Sequence, residues 1–172
     1  MKTFVKIFAI AVTFVALITS CETVNPQTGI SGKLISNSNC KSNELSVIDS
    51  ETSDTLSCIE YEYELSEKTL HLKHINAGFN CCPGEITCSA KLNNDTIVVQ
   101  EFEKSPLCNC DCLFDLDIEI SGVEEGKYFI QIKEPYCGEQ NKLHLLLDFT
   151  MDKEGTVCVT RKQYPWGMSQ IK

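Results

Sequence analysis

The sequence predicts an all-β fold, an antiparallel β-sandwich of immunoglobulin-like or fibronectin-like type, with a small barrel as the runner-up. Three observations carry that expectation. Apolar and polar residues alternate with period two from Glu60 onward, no window sustains a helical stripe, and turn residues recur about every eight to twelve positions. A chain of 172 residues, 42% hydrophobic and 23% charged, lies in the globular range and allows one domain rather than two.

Each element follows from its own pattern. In 60–65, Tyr61, Tyr63 and Leu65 share one strand face and the glutamates between them face water. Leu70 and Leu72 share a face with His74, while His71 and Lys73 point the other way; the stretch 75–80 after His74 reads as a turn. Ile86, Cys88, Ala90 and Leu92 alternate with polar residues up to the turn signal Asn93-Asn94-Asp95, and a β-branched run over 96–99 completes a hairpin. Phe114, Leu116, Ile118 and Ile120 interleave with Asp115, Asp117 and Glu119. Calcium needs about six to eight converging oxygens, whereas alternate residues on a strand diverge, so these acids read as a solvated face. A turn over 121–126 leads into 127–133 with Tyr128, Ile130 and Ile132 inward, so that 114–133 reads as a hairpin. A last pair is expected from Leu143, Leu145, Leu147 and Phe149 with 156–160, and Trp166 reads as core or edge packing.

The formal net charge of −9 argues against a protein that works by neutralising phosphate, so nucleic acid is not an expected partner. No G-x-G-x-x-G, phosphate-loop lysine, serine-hydrolase or C-x-x-C signature occurs, and His71, His74 and His144 fall in no local catalytic pattern. No catalytic residue and no cofactor are therefore assigned.

The leader is more informative. Lys2 and Lys6 precede an apolar run over 7–18. Twelve helical residues rise about 18 Å, short of the roughly 30 Å hydrocarbon core, so the run suits a removable signal peptide better than a permanent span. It ends in Leu17-Ile18-Thr19-Ser20-Cys21, which resembles the lipobox of bacterial lipoproteins. The resemblance implies cleavage before Cys21, lipidation of its thiol with diacylglycerol, and acylation (palmitate-like chains) of the new amino terminus. Two or three acyl chains anchor stably where one binds reversibly. The expected organisation is a signal peptide over 1–20, a lipidated tether over 21–29 and a cysteine-rich β domain over 30–172. Its place is the exported side of a cell or outer membrane, held through the lipid anchor, with an envelope protein or ligand of unassigned identity as partner. Without Lys2 and Lys6 the exported part carries 13 basic and 24 acidic side chains, formally −11.

Ten cysteines remain besides Cys21: Cys40, Cys58, Cys81, Cys82, Cys88, Cys108, Cys110, Cys112, Cys137 and Cys158. An even set in an oxidising compartment reads first as disulfides. Alternate strand cysteines sit nearly 7 Å apart, outside bridging reach, so partners come across strands or loops. The economical arrangement joins Cys81, Cys82 and Cys88 to Cys108, Cys110 and Cys112, and leaves Cys40, Cys58, Cys137 and Cys158 to pair among themselves. The alternative is a copper or zinc site built from Cys81, Cys82, Cys88, Cys108, Cys110 and Cys112 with His74, although C-x-C is not the usual spacing of structural zinc ligands. The segments 74–83, 108–112 and 126–128 together are similar to a group of cysteine-rich bacterial envelope lipoproteins, and the resemblance implies a small exported β domain with no assigned activity. The leading expectation is a non-enzymatic, disulfide-stabilised binding or assembly module; soft-metal binding is the alternative.

Overall fold

The computed structural model describes residues 29–41, 52–163 and 165–166. The expected signal peptide, Cys21 and most of the tether lie outside the described residues. Nine strands are present among those described: β1 Ser31–Asn37, β2 Leu56–Glu64, β3 Thr69–Asn80, β4 Glu85–Asn93, β5 Thr96–Lys104, β6 Asp111–Ser121, β7 Lys127–Lys133, β8 His144–Asp148 and β9 Glu154–Thr160. They form two facing sheets, a five-stranded one in the order β1-β6-β3-β2-β9 and a four-stranded one in the order β4-β5-β7-β8. Both sheets have free edges, so the fold is a sandwich and not a closed barrel.

The period-two pattern sets which side chains meet between the sheets. Ile59, Tyr63, Leu70, Leu72, Leu116, Ile118 and Ile120 of the larger sheet bury against Ile97, Val99, Ile130, Ile132, Leu145 and Leu147 of the smaller one. Tyr63 stacks on Phe149 with ring centroids 4.4 Å apart, and its hydroxyl donates to the Val123 carbonyl at 2.9 Å, which satisfies the one polar atom it brings inside. At one corner β1 lies against β4, and a Cβ on Gly32 would come within 2.5 Å of the Ala90 Cβ. The glycine is what permits that approach.

The expected β4–β5 hairpin forms, with Asn94 at φ 56° in its turn. Two other expected pairings do not. β6 pairs with β1 and β3, while β7 pairs with β8 and, in parallel, with β5. The turn over 121–126 therefore crosses from one sheet to the other, with Gly122 at φ 81°. In the same way β8 and β9 fall in different sheets. Two strands that each bury one face show the same alternation whether they lie side by side or face one another across the core. Leu65 also departs from expectation: β2 ends at Glu64 and Leu65 is exposed.

The stretch after His74 is not a turn. β3 continues to Asn80, and a bulge between His74 and Ala77 takes up the irregular residues, with Asn76 at φ 62°. Asn76 is suited to that conformation and is fixed there: its amide nitrogen donates to the Ser53 and Leu56 carbonyls, its backbone N–H to Asp115 Oδ1, and its carbonyl accepts from the Trp166 indole at 2.6 Å. Trp166 is buried and covers Gly78, where a Cβ would meet the ring at 2.7 Å, so its expected packing role is what the fold uses.

Candidate functional site

The cysteines tie the sandwich at three places. Cys81–Cys110 and Cys82–Cys108 join the end of β3 to the strand entry of β6 and link the two cysteine clusters. Cys58–Cys158 crosses the directly paired strands β2 and β9, and Cys40–Cys112 fastens the segment after β1 to β6. The expected third bridge between the clusters is replaced, and Cys88 and Cys137 are free thiols. The reason is register. Lys41 pairs with Leu113, which puts the Cys40 and Cys112 Cα atoms 5.7 Å apart, whereas Cys88 belongs to β4 in the other sheet, opposite Glu101. Burial, with the charge of Glu101, pushes the Cys88 thiol up to about 12; burial also raises Cys137.

The ligands drawn for a soft-metal centre are therefore not brought together as a set. The sulfurs of Cys81, Cys82 and Cys108 lie within 4.8 Å of one another, but all three, with Cys110 and Cys112, are in bridges and offer no thiolate while oxidised. Cys88 is on the opposite sheet, and both nitrogens of His74 are engaged elsewhere.

His74 is the centre of a polar network that spans the core. Nδ1 lies 2.6 Å from Glu101 Oε1 on the facing sheet, and Nε2 lies 2.9 Å from Ser57 Oγ on the neighbouring strand. Arg161, just beyond β9, donates to both oxygens of Glu134 at 2.7 and 2.6 Å and to Ser57 Oγ at 3.4 Å, and it also reaches the Cys137 sulfur. Ser57, His74, Glu101 and Arg161 are at most 1% exposed. Two buried carboxylates thus face one guanidinium and one imidazole, and charge balance asks the ring to carry a proton. Burial pulls the His74 ring down, but the charge and hydrogen bond of Glu101, helped by Glu134, outweigh it and the net direction is up. Burial likewise pushes Glu101 up against the pull of His74, so the pair as a unit keeps its proton to higher pH than a free imidazole.

Serine, histidine and glutamate in hydrogen-bonded order invite comparison with a nucleophilic triad. The chemistry runs the other way here. A nucleophilic serine gives its proton to the histidine, whereas a protonated ring donates to Ser57 Oγ from Nε2 while Arg161 donates to the same oxygen. With the set closed off from solvent, it is a structural tie between the sheets. Sequence reasoning missed Ser57, Glu101, Glu134 and Arg161. A signal existed for two of them, since Ser57 and Glu101 fall in phase with the inward residues Ile59, Ile97 and Val99.

The accessible candidate is the outer face of the five-stranded sheet, where a hollow of about 720 Å³ opens over the strands. Register arranges the polar side chains of this face, most of them lining the hollow, in two rows at right angles to the strands. One row runs Thr156, Glu60, Lys73, Asp117, Ser36; the next runs Glu154, Glu62, His71, Glu119, Lys33. The acids expected to be solvated, Asp115, Asp117 and Glu119, each meet a separate partner, in Lys41, Ser36 and Lys33. The hydrogen bond from Lys33 holds the Glu119 carboxyl below the usual range. Glu62 and Glu154 face one another directly across β2 and β9, a like-charged pairing that costs stability on a sheet surface.

Comparison with family models, with curated proteins and with solved structures returns no match to this chain.

Proposed function

We propose that the chain is a membrane-anchored envelope lipoprotein that works without catalysis, as a disulfide-stabilised binding or assembly module for a cationic partner segment. The anchor rests on the order of charged, apolar and small residues before Cys21. The observation that carries the binding role is the pair of charged rows on the outer face, in which Glu60, Glu62, Asp117, Glu119 and Glu154 outnumber Lys33 and Lys73. These side chains stand on strands of a sheet cross-linked at Cys58–Cys158, so the floor is preorganised and little ordering is needed on binding. A facing Glu62–Glu154 pair is relieved when a cation settles between the two carboxylates.

Two measurements test the two halves. Oligolysine titrated into residues 21–172 carrying Cys21→Ser is expected to bind saturably, and the Glu62→Gln, Glu154→Gln double variant to weaken that binding at least fivefold. Absent binding, or binding indifferent to the double variant, would remove the cationic partner. The mass of the chain extracted from membranes is expected to show an amino-terminal Cys21 carrying diacylglycerol; an unmodified Cys21 would remove the anchor.

A second reading draws on the sulfurs of Cys81, Cys82 and Cys108, which lie within 4.8 Å of one another. After reduction by a thiol they would offer thiolates to copper(I) or zinc. Stoichiometric metal retained by the reduced protein and released on reoxidation would favour that reading over a purely structural staple.

A further inference from the structure

The two outer faces of the sandwich differ in character. On the four-stranded sheet the buried residues Ala90, Ile97, Val99, Ile130, Ile132, Leu145 and Leu147 fix which side chains point away from the core. The outward set includes Phe102, Phe129 and Leu146, which are 46%, 36% and 79% exposed. Phe129 and Leu146 are direct partners across β7 and β8, so these two apolar side chains form a contiguous patch. Lysines surround it: Lys91 on β4, Lys104 on β5, and Lys127 and Lys133 at the two ends of β7. The acids on the same face are Glu85 and Asp148, and they are taken up by Lys104 and Lys127 respectively, which leaves Lys91 and Lys133 in excess; His144 lies against the Phe129 ring. In a chain of net charge −9, one face is apolar and basic while the opposite face is acidic.

We infer that the outer face of the four-stranded sheet docks on an anionic phospholipid surface. Exposed aromatic and aliphatic side chains ringed by lysines match the boundary between acyl chains and negatively charged headgroups. The reach of the chain permits it. From Cys21 to Ser31, where β1 begins, ten residues extend at most about 35 Å, so a domain lipidated at Cys21 stays within contact of its own bilayer. The inference uses the anchored reading only for the supply of that bilayer. Docked in this way, the sandwich turns the acidic rows on its other sheet away from the membrane, toward a partner.

The test separates this docking from natural lipidation. Residues 21–172, which contain every described strand, are coupled through Cys21 to a maleimide-bearing lipid; the free thiols of Cys88 and Cys137 are sheltered by the fold. Tethered vesicles of phosphatidylcholine alone and of phosphatidylcholine with one third phosphatidylglycerol are then treated with an amine-reactive reagent, and labelling is read lysine by lysine by mass spectrometry. Labelling of Lys91 and Lys133 is expected to fall at least threefold on the anionic vesicles, while Lys33 and Lys73 on the opposite face keep their rates. Phe129→Ser with Leu146→Ser, both at exposed positions, is expected to restore labelling at Lys91 and Lys133. Equal rates on both vesicle types, protection of Lys33 and Lys73 instead, or protection that survives the double variant would each overturn the inference. Since the tether is synthetic, none of these outcomes depends on whether Cys21 is lipidated in the cell.

Discussion

At His74, on β3, a single imidazole joins two sheets through Ser57 on β2 and Glu101 on β5, with Glu134 just beyond β7 close by. A buried ion pair is not by itself a large stabiliser, but removing one member leaves its partners charged and dry. His74→Ala is expected to lower stability by about 3–5 kcal/mol in mildly acidic solution. The pH dependence has a definite sign. A histidine raised in the folded state contributes stability that is fully present below its ordinary value of 6.5 and drains away as pH climbs through the raised one. Glu101, also raised, acts in the same direction. Urea midpoints measured from pH 6 to pH 9 should therefore fall with pH in the parent protein and flatten in the His74→Ala, Glu101→Gln double variant, which removes both raised groups; parallel curves would mean that the pair holds no proton in the fold. Cys88 and Cys137, the free thiols among the described residues, are withdrawn from reaction in the fold. With Cys88 pushed up to about 12 and Cys137 buried, iodoacetamide at pH 8 is expected to leave both unmodified in the native Cys21→Ser protein. Unfolding without reductant should then yield two alkylated sites, at Cys88 and Cys137, and any other count contradicts the bridge pattern.

Among the elements, β3 carries the most of the architecture, because the bulge at Asn76 lets one strand serve the apolar core, the His74 network and the cysteine cluster in succession. The two residues just beyond its end are each stapled. Cys81–Cys110 and Cys82–Cys108 close chain separations of 29 and 26 residues, and a loop of that size constrains the unfolded chain by about 3–4 kcal/mol. The bridges are nested, so once one is closed the second closes only a few further residues. Replacing one pair by serines is expected to shift the urea midpoint little, and replacing both to cost about 3–4 kcal/mol; additive losses would show that the two act independently. Most strands were legible from alternation alone, and the 93–95 turn fixed one pairing. The assignment of β6 with β7 and β8 with β9 to the same sheet failed because alternation reports that a strand buries one face without reporting which neighbour covers it.

Over the whole molecule, a core closed between two sheets leaves two outer faces free to specialise, one acidic and hollow, the other basic and apolar. On the proposed binding role, recognition would trade against stability where Glu62 and Glu154 face each other. Glu154→Lys is expected to raise the urea midpoint by converting a like-charged pair into an opposite one, while abolishing oligolysine binding. A variant that gained stability and bound as before would place recognition elsewhere. A chain tethered at Cys21 and lying on its basic face would present these rows outward, which joins the two proposals in one orientation.

Alternation along the chain is enough to specify an all-β sandwich, because burying one face of a strand requires strict alternation and this chain keeps it across most strands. The clustered cysteines mark the chain for cross-linking in the same way. It takes the folded chain to settle which sheet each strand joins, which cysteines meet, and that Ser57, Glu101, Glu134 and Arg161 gather around His74. Those outcomes depend on contacts between residues up to about a hundred positions apart, as in Cys58–Cys158. Local pattern fixes the direction of a side chain along its strand; what stands opposite is set by how the sheets stack.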